Sequence, residues 1–449
     1  MAILPQEHLE DQCRSKTILR FSRELELGKL LKQANILKAR GIGVLTVFVQ
    51  LLMVAFSGKP LGKLLENGAM AGAKDVYYRF MNSTSANWLK FIRLLSSKIV
   101  ARLRLAFKDD LGVLILDDTL HKRDRSKCVE LLARVFDHND STYHWGFRCL
   151  TLVLHLGNAT VPMDFRLLSS RNEKQRKKGS RQDLDKRSNG YKLRQLALCN
   201  SFDMAYDMIS RQRGLVRYVL FDSWFAMPVM FKTLCGMGFH GVGMLKASNC
   251  LYRYKGKLYK LEALFALAKP FIHRENDFVT LGVELNGGTP LSITFVMDKR
   301  NKRNWLAIGT TDLSLSPQQV ISLYSRRWNI EVFFKTVKTY LGFASECQSR
   351  SFDAIVCSVA VVFTRHMMLT WMKFNVPEPE TIGQMFFLLF EEMCECTLPE
   401  AIAIVFREFF EHLECFVQYD DPLDMTLREF FANLPSSFNP LRTIASCES

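Results

Sequence analysis

Gly112-Val-Leu-Ile-Leu-Asp-Asp-Thr119 is a short apolar β-type run that ends in two adjacent carboxylates, and its reading decides the fold. Arg217-Tyr-Val-Leu-Phe-Asp-Ser-Trp224 repeats the pattern, with Asp222 directly after its apolar stretch. Acidic side chains at the carboxyl ends of buried strands lie where open α/β sheets build their sites. Either aspartate taken alone is more often a turn former or a helix N-cap. A third stretch changes that balance: Tyr324-Ser-Arg-Arg-Trp-Asn-Ile-Glu331-Val-Phe-Phe-Lys335-Thr-Val-Lys338. On one helix, Tyr324, Arg327, Glu331 and Lys338 fall at about 0°, −60°, −20° and −40°, a narrow polar stripe. Ile330, Val332, Phe333, Phe334 and Val337 make the rest of that helix apolar. A carboxylate flanked by two cations suits metal and phosphate chemistry better than packing, the plain alternative being a solvated helix face. Glu331 and the two upstream aspartates together supply three hard oxygen ligands, the set Mg²⁺ prefers. Two such ions about 4 Å apart activate a water or 3′-hydroxyl and stabilise the leaving oxygen of a phosphodiester displacement.

Leu116-Asp-Asp-Thr119, Leu220-Phe-Asp-Ser-Trp224, Trp305-Leu-Ala-Ile-Gly-Thr310 and Tyr324 to Lys338 stand in a characteristic order and spacing. In these stretches the chain resembles the DDE transposases of bacterial insertion sequences, in the family with the signature Tyr-x2-Arg-x3-Glu-x6-Lys (insertion-sequence family four). The similarity runs from residue 75 to residue 345. It implies an α/β fold: a ribonuclease H-like catalytic core, interrupted by a β-rich insertion and flanked by helical N- and C-terminal regions. The implied divisions are a helical DNA-binding region at 1–108, the first part of the core at 109–222 and the insertion at 223–310. The second part of the core follows at 311–352, then a helical C-terminal region at 353–449 suited to dimerisation.

The resemblance also assigns roles. Asp118, Asp222 and Glu331 would be catalytic ligands for two Mg²⁺ ions, with Mn²⁺ as a substitute. Asp118 is preferred to Asp117 because the family ligand directly precedes threonine, although neighbours on a strand point opposite ways. Arg327 and Lys338 would hold phosphate oxygens, Tyr324 would donate to a backbone phosphate, and Lys335 is a secondary phosphate candidate. Trp305 resembles the family tryptophan that stacks on a flipped base, the alternative being a strand-core tryptophan. The implied reaction is cleavage at the element ends through a DNA hairpin, blunt excision and strand transfer. The implied partners are double-stranded DNA (terminal inverted repeats and target) and a second copy of the chain. Two other readings are a metal-dependent nuclease without strand transfer and a catalytically silent, transposase-derived DNA-binding protein.

Composition agrees with a polyanionic partner. The 449 residues carry a net charge of +15. Residues 391–449 are strongly acidic, so the rest of the chain is more basic still. Residues 171–194 concentrate Arg171, Lys174, Arg176, Lys177, Lys178, Arg181, Lys186, Arg187, Lys192 and Arg194, a run read as a loop on the DNA backbone leading into a helix at 191–213. Tyr77, Arg79 and Lys90 fit DNA contact or ordinary packing. The 12 cysteines are scattered without metal-ligand spacing, as expected of small hydrophobes in a reducing compartment. His121, His138, His144 and His155 lack a metal-ligand rhythm and read as structural or surface residues. The first 30 residues hold no signal-peptide core, and the apolar stretch from Ile42 to Phe56 is too short to span a bilayer and is broken by Gln50. A cytoplasmic, nucleoid-associated protein without a membrane partner is the expectation.

Overall fold

The computed structural model describes residues 16–137, 140–272, 277–297, 304–375 and 385. His138, most of the C-terminal region and its acidic tail lie outside the described residues.

Six helices come first: α1 (Lys16–Glu24), α2 (Leu27–Gln33), α3 (Val44–Met53), α4 (Leu61–Glu66), α5 (Lys74–Met81) and α6 (Trp88–Ala106). Asn87 caps α6 by accepting from the Lys90 amide. Tyr77 is wholly buried on α5 and donates to the Ala71 carbonyl at 2.7 Å, which makes it a packing residue.

A mixed sheet of eleven strands follows. Its first part holds β1 (Val113–Lys122), β2 (Ala133–Asp137), β3 (Thr142–Leu156) and β4 (Ala159–Leu168). β3 runs antiparallel to β1 on one edge and to β2 and β4 on the other. Two helices, α7 (Asn189–Ala197) and α8 (Ser201–Ser210), lead to β5 (Tyr218–Phe221). The single helix expected at 191–213 is thus divided, because Asn200 starts a new cap by accepting from the Phe202 amide at 2.8 Å. β5 is parallel to β1, and β6 (His240–Leu245), reached through α9 (Pro228–Gly236), is parallel to β5.

The segment read as an insertion continues this same sheet. β7 (Tyr252–Tyr254), β8 (Lys257–Tyr259), β9 (Phe278–Leu285), β10 (Pro290–Met297) and β11 (Trp305–Thr310) extend it beyond β6, with α10 (Leu261–Ala268) between β8 and β9. The Asn286-Gly287-Gly288 turn joins β9 to β10 as its residues dictate, with φ positive at both glycines. Gly243 on β6 has a different purpose. A Cβ there would fall 2.3 Å from the Phe221 ring, so only glycine lets β6 pass beside the strand that presents Asp222.

The chain ends, as described, with α11 (Pro317–Ser325), α12 (Trp328–Thr339) and α13 (Phe352–Asn375). α13 is apolar and long enough to cross a membrane, but its apolar window is fully buried inside the protein. Its Arg365, with no exposed surface, donates to the carbonyls of Leu52 at 3.0 Å and Leu341 at 2.8 Å and pairs with Glu346.

Arg194 shows how the basic segment is anchored. It is buried and forms two bonds to Glu130 (2.5 and 2.7 Å) and two to Asp353 (3.1 and 2.7 Å). This arginine therefore does not face solvent with its neighbours in the run; it ties α7 to α13. Removing one member of a buried ion network leaves the others without a counter-charge. Arg194→Met is expected to lower unfolding stability by about 3–5 kcal/mol, read from urea denaturation midpoints, whereas Arg187→Met at the exposed end of the run leaves the midpoint unchanged.

Candidate active site

β1 does not stop before its carboxylates. It continues to Lys122, because Asp117 through Lys122 keep pairing with β3. Asp117 and Asp118 therefore sit within a strand, and strand alternation sends them to opposite faces. The β1–β5 pairing ends at Leu116 opposite Phe221, which makes Asp117 and Asp222 the next residues on neighbouring parallel strands. Their backbones are about 4.8 Å apart by strand spacing.

The surroundings of the three aspartates differ. Asp117 Oδ1 accepts the Asp118 amide at 2.7 Å, and Asp117 Oδ2 meets Arg327 Nη1 at 3.3 Å. Arg327 Nη2 binds Glu331 Oε1, so one guanidinium bridges Asp117 and Glu331. Asp118 has a cation of its own while its charge still acts on Asp117 and Asp222: both its oxygens accept from Arg148 Nη1, at 3.1 and 2.9 Å, and the same guanidinium lies over the Trp224 ring. Asp222 Oδ1 accepts from the amides of Trp224 and Phe225, at 3.1 and 3.3 Å, which fixes the turn after β5. The sequence choice of Asp118 over Asp117 thus meets an arrangement in which Asp117 shares a cation with Glu331 and Asp118 does not. Alternation along the strand separates the two carboxylates but does not by itself say which of them faces the glutamate-bearing helix.

The expected single helix is also divided. Tyr324 lies in the last turn of α11, Arg327 lies in the joint, and Glu331, Lys335 and Lys338 ride on α12. Successive i→i−3 bonds tighten this joint: Arg327 N to Tyr324 O at 2.9 Å and Ile330 N to Arg327 O at 3.1 Å. Arg326 is drawn away to Asp110 at 2.9 Å. The Tyr324 hydroxyl is buried beside the Arg327 guanidinium, within the field of Asp222 and Asp117. Lys335 is exposed. Lys338 lies in the field of Asp137, Lys122 and Asp117, between the site and a second acidic group.

That second group is Asp137, Asp140 and His144, whose ligand atoms lie within 4.8 Å of one another. Lys122 already supplies its cation, with Nζ at 2.9 Å from Asp137 and 3.3 Å from Asp140. Of the other histidines, His121 is wholly buried and pushed down to about 3, and His155 to about 4, both chiefly by burial. Both are neutral core residues.

Trp305 stacks on Phe265 at 4.3 Å and meets Phe295 edge-on at 5.8 Å. Counting along the pairs from Phe221 to Gly243 and Gly309 places it at the same end of the sheet as Asp222. It lies two strands across and about 10 Å further along. Trp328, absent from the expected set, leaves 63% of its surface exposed beside Arg327 and within one turn of Glu331.

Charge crowding gives the site its chemistry. Burial, then the charges of Asp222 and Asp118, push the Asp117 carboxyl up to about 8, against the Asp118 amide and Arg327. Burial followed by Asp118 also raises Asp222. Hard oxygen donors that resist ionisation for want of positive charge, and that already draw in a guanidinium, fit a divalent cation.

A mixed α/β sheet that gathers carboxylates where two adjacent parallel strands stop pairing, with a glutamate-bearing helix beside them, is consistent with a DDE nuclease. The chain matches the DDE superfamily endonuclease family over residues 37–259 and an archaeal ISC1217-like transposase domain over residues 199–356. A comparison with curated proteins gave no match. Between them the two matched spans contain Asp117, Asp118, Asp222 and Glu331. They support a DDE transposase, a nuclease-type enzyme with DNA as its substrate and a divalent metal requirement.

A carboxyl whose folded pKa is raised favours the fold while protonated. For Asp117 that contribution is complete below the unfolded value of about 3.9, and it is lost as pH rises through about 8. Asp117→Asn, neutral at every pH, is expected to melt close to wild type at pH 5 and above it at pH 8.5. Thermal scans without divalent ions at the two pH values provide the check.

Proposed function

We infer that the chain is the transposase of an insertion sequence with the Tyr-Arg-Glu-Lys signature, cutting at its element's ends and joining them to target DNA. The observation that carries this reading is Arg327 bridging Asp117, in the middle of β1, and Glu331, with Asp222 just past the end of β5 in the field of the same guanidinium. The five strands β4-β3-β1-β5-β6, three antiparallel and then two added in parallel, have the order of a ribonuclease H-like core, with β7 to β11 as its insertion.

Asp117, Asp222 and Glu331 would hold two Mg²⁺ ions, Asp117 replacing Asp118 as first ligand. Bound there, the ions supply activation of the attacking hydroxyl and charge stabilisation on the leaving oxygen. The chain's own groups do the rest. Arg327 presents a planar fork suited to two phosphate oxygens, and Lys338 adds a point charge from the next turns of α12. The buried Tyr324 hydroxyl, beside Arg327, keeps its proton available to donate to a phosphate. Lys335 and the exposed part of the 171–192 segment meet the backbone further along the duplex. Asp118 fixes Arg148 beside Trp224 and supports the turn that carries Asp222. One face of Trp305 is covered by Phe265, so a flipped base would stack on the other, and the hairpin step depends on that face.

The test is a duplex carrying the inverted repeat that flanks the gene. Wild type is expected to nick it at the repeat boundary with Mg²⁺ and leave a 3′-hydroxyl. Asp117→Asn and Glu331→Gln are expected to lower the rate by at least about 10³-fold, and Asp118→Asn by no more than about tenfold. The reverse order of the two aspartates restores Asp118 as the ligand. Specific binding without cleavage by any of the proteins favours the silent DNA-binding reading. Trp305→Ala is expected to retain nicking while losing the closed hairpin product, measured on denaturing gels.

A further inference from the structure

Taking Asp117, Asp222 and Glu331 as the metal-binding carboxylates, we propose that Arg327 is a displaceable counter-ion that couples metal loading to phosphodiester binding. Its guanidinium holds Asp117 Oδ2 at 3.3 Å and Glu331 Oε1 at once. A divalent cation would need those same oxygens, and a guanidinium has only donors to offer, so the two cations compete. The side chain is largely buried, with 15% of its surface exposed, and a buried cation without a counter-charge is costly. Metal arriving alone therefore strands Arg327, and a phosphate that takes Arg327 alone strands Asp117 and Glu331. When both arrive, the metal satisfies the carboxylates and the freed fork satisfies the phosphate. Each ligand thus favours the other, by the same factor in both directions.

The joint between α11 and α12 permits this exchange. Arg327 extends from a two-residue turn rather than from mid-helix, and its guanidinium carbon lies 5.9 Å from the ring of Tyr324. The buried Tyr324 hydroxyl lies beside the Arg327 guanidinium, close to where a phosphate would meet the released fork. Lys335 and Lys338 make no ion pair with the three carboxylates among the described residues, so they supply positive charge without the competition.

The test measures Mn²⁺ binding to the full-length, DNA-free protein by electron paramagnetic resonance, with no turnover involved. Arg327→Gln is expected to bind Mn²⁺ about tenfold more tightly than wild type, Arg327→Lys to lie between them, and Lys338→Gln to change affinity by less than about threefold. In the companion measurement, Ca²⁺ tightens wild-type binding to the inverted-repeat duplex about tenfold and that of Arg327→Gln by no more than about twofold. Equal Mn²⁺ affinity in wild type and Arg327→Gln, at a site lost in Glu331→Gln, overturns the counter-ion role and leaves the metal site standing. Equal gains in Arg327→Gln and Lys338→Gln reduce the effect to diffuse charge and also overturn it. Mn²⁺ binding that ignores Glu331→Gln removes the metal-site reading itself. If Arg327→Gln does not fold, the same comparison is made with Arg327→Lys, whose single ammonium cannot bridge both carboxylates.

Discussion

β1 and β5 are paired through only three residues each, yet this short parallel ladder sets two of the site's carboxylates against each other. It brings two strands far apart in sequence into register so that Asp117 and Asp222 emerge side by side. A slip of one residue would turn Asp117 to the other face and put Asp118 in its place. The register is protected on both sides. β3 pairs with β1 along the full length of that strand, and Gly243 lets β6 close against Phe221. The long antiparallel ladder supplies the rigidity, and the short parallel one supplies the geometry.

Placing carboxylates together in a desolvated pocket is unfavourable, and the fold offsets it with fixed cations. Arg148 neutralises Asp118, Arg327 spans Asp117 and Glu331, and Lys122 serves the neighbouring group of Asp137 and Asp140. The three differ in what a ligand could change. Arg148 and Lys122 satisfy carboxylates outside the proposed triad, whereas Arg327 sits on two of its members. On that proposal, Arg327 is the one of these three cations in the path of a metal.

Much of this was legible in the residues. The apolar runs before Asp117 and Asp222, the Asn-Gly-Gly hairpin, and the spaced quartet from Tyr324 to Lys338 all reflect local periodicity, which a single sequence displays. The orientation of one carboxylate against its neighbour was not legible. It depends on how far β1 continues, and that is set by pairing with β3 rather than by the polar composition of Asp117 to Lys122. Arg194 escaped for a related reason. In a run of ten basic residues nothing local marks Arg194 as one that turns inward, because its partners Glu130 and Asp353 are distant in sequence. The break after Tyr324 likewise arises from tight turns that a regular helical wheel does not contain.

Arg365 has a meaning for the chain before it folds. Phe352 to Phe374 has the length and apolarity of a bilayer-spanning segment, and Arg365 stands near its middle. A central arginine opposes transfer of a bare helix into lipid by about 2.5–3.5 kcal/mol. In the finished protein that charge is consumed by carbonyls of Leu51, Leu52 and Leu341 and by Glu346, partners that exist only once the helical regions have come together. One side chain thus weighs against lipid for the unfolded segment and, in the folded protein, fastens it to α3 and to the turn after α12.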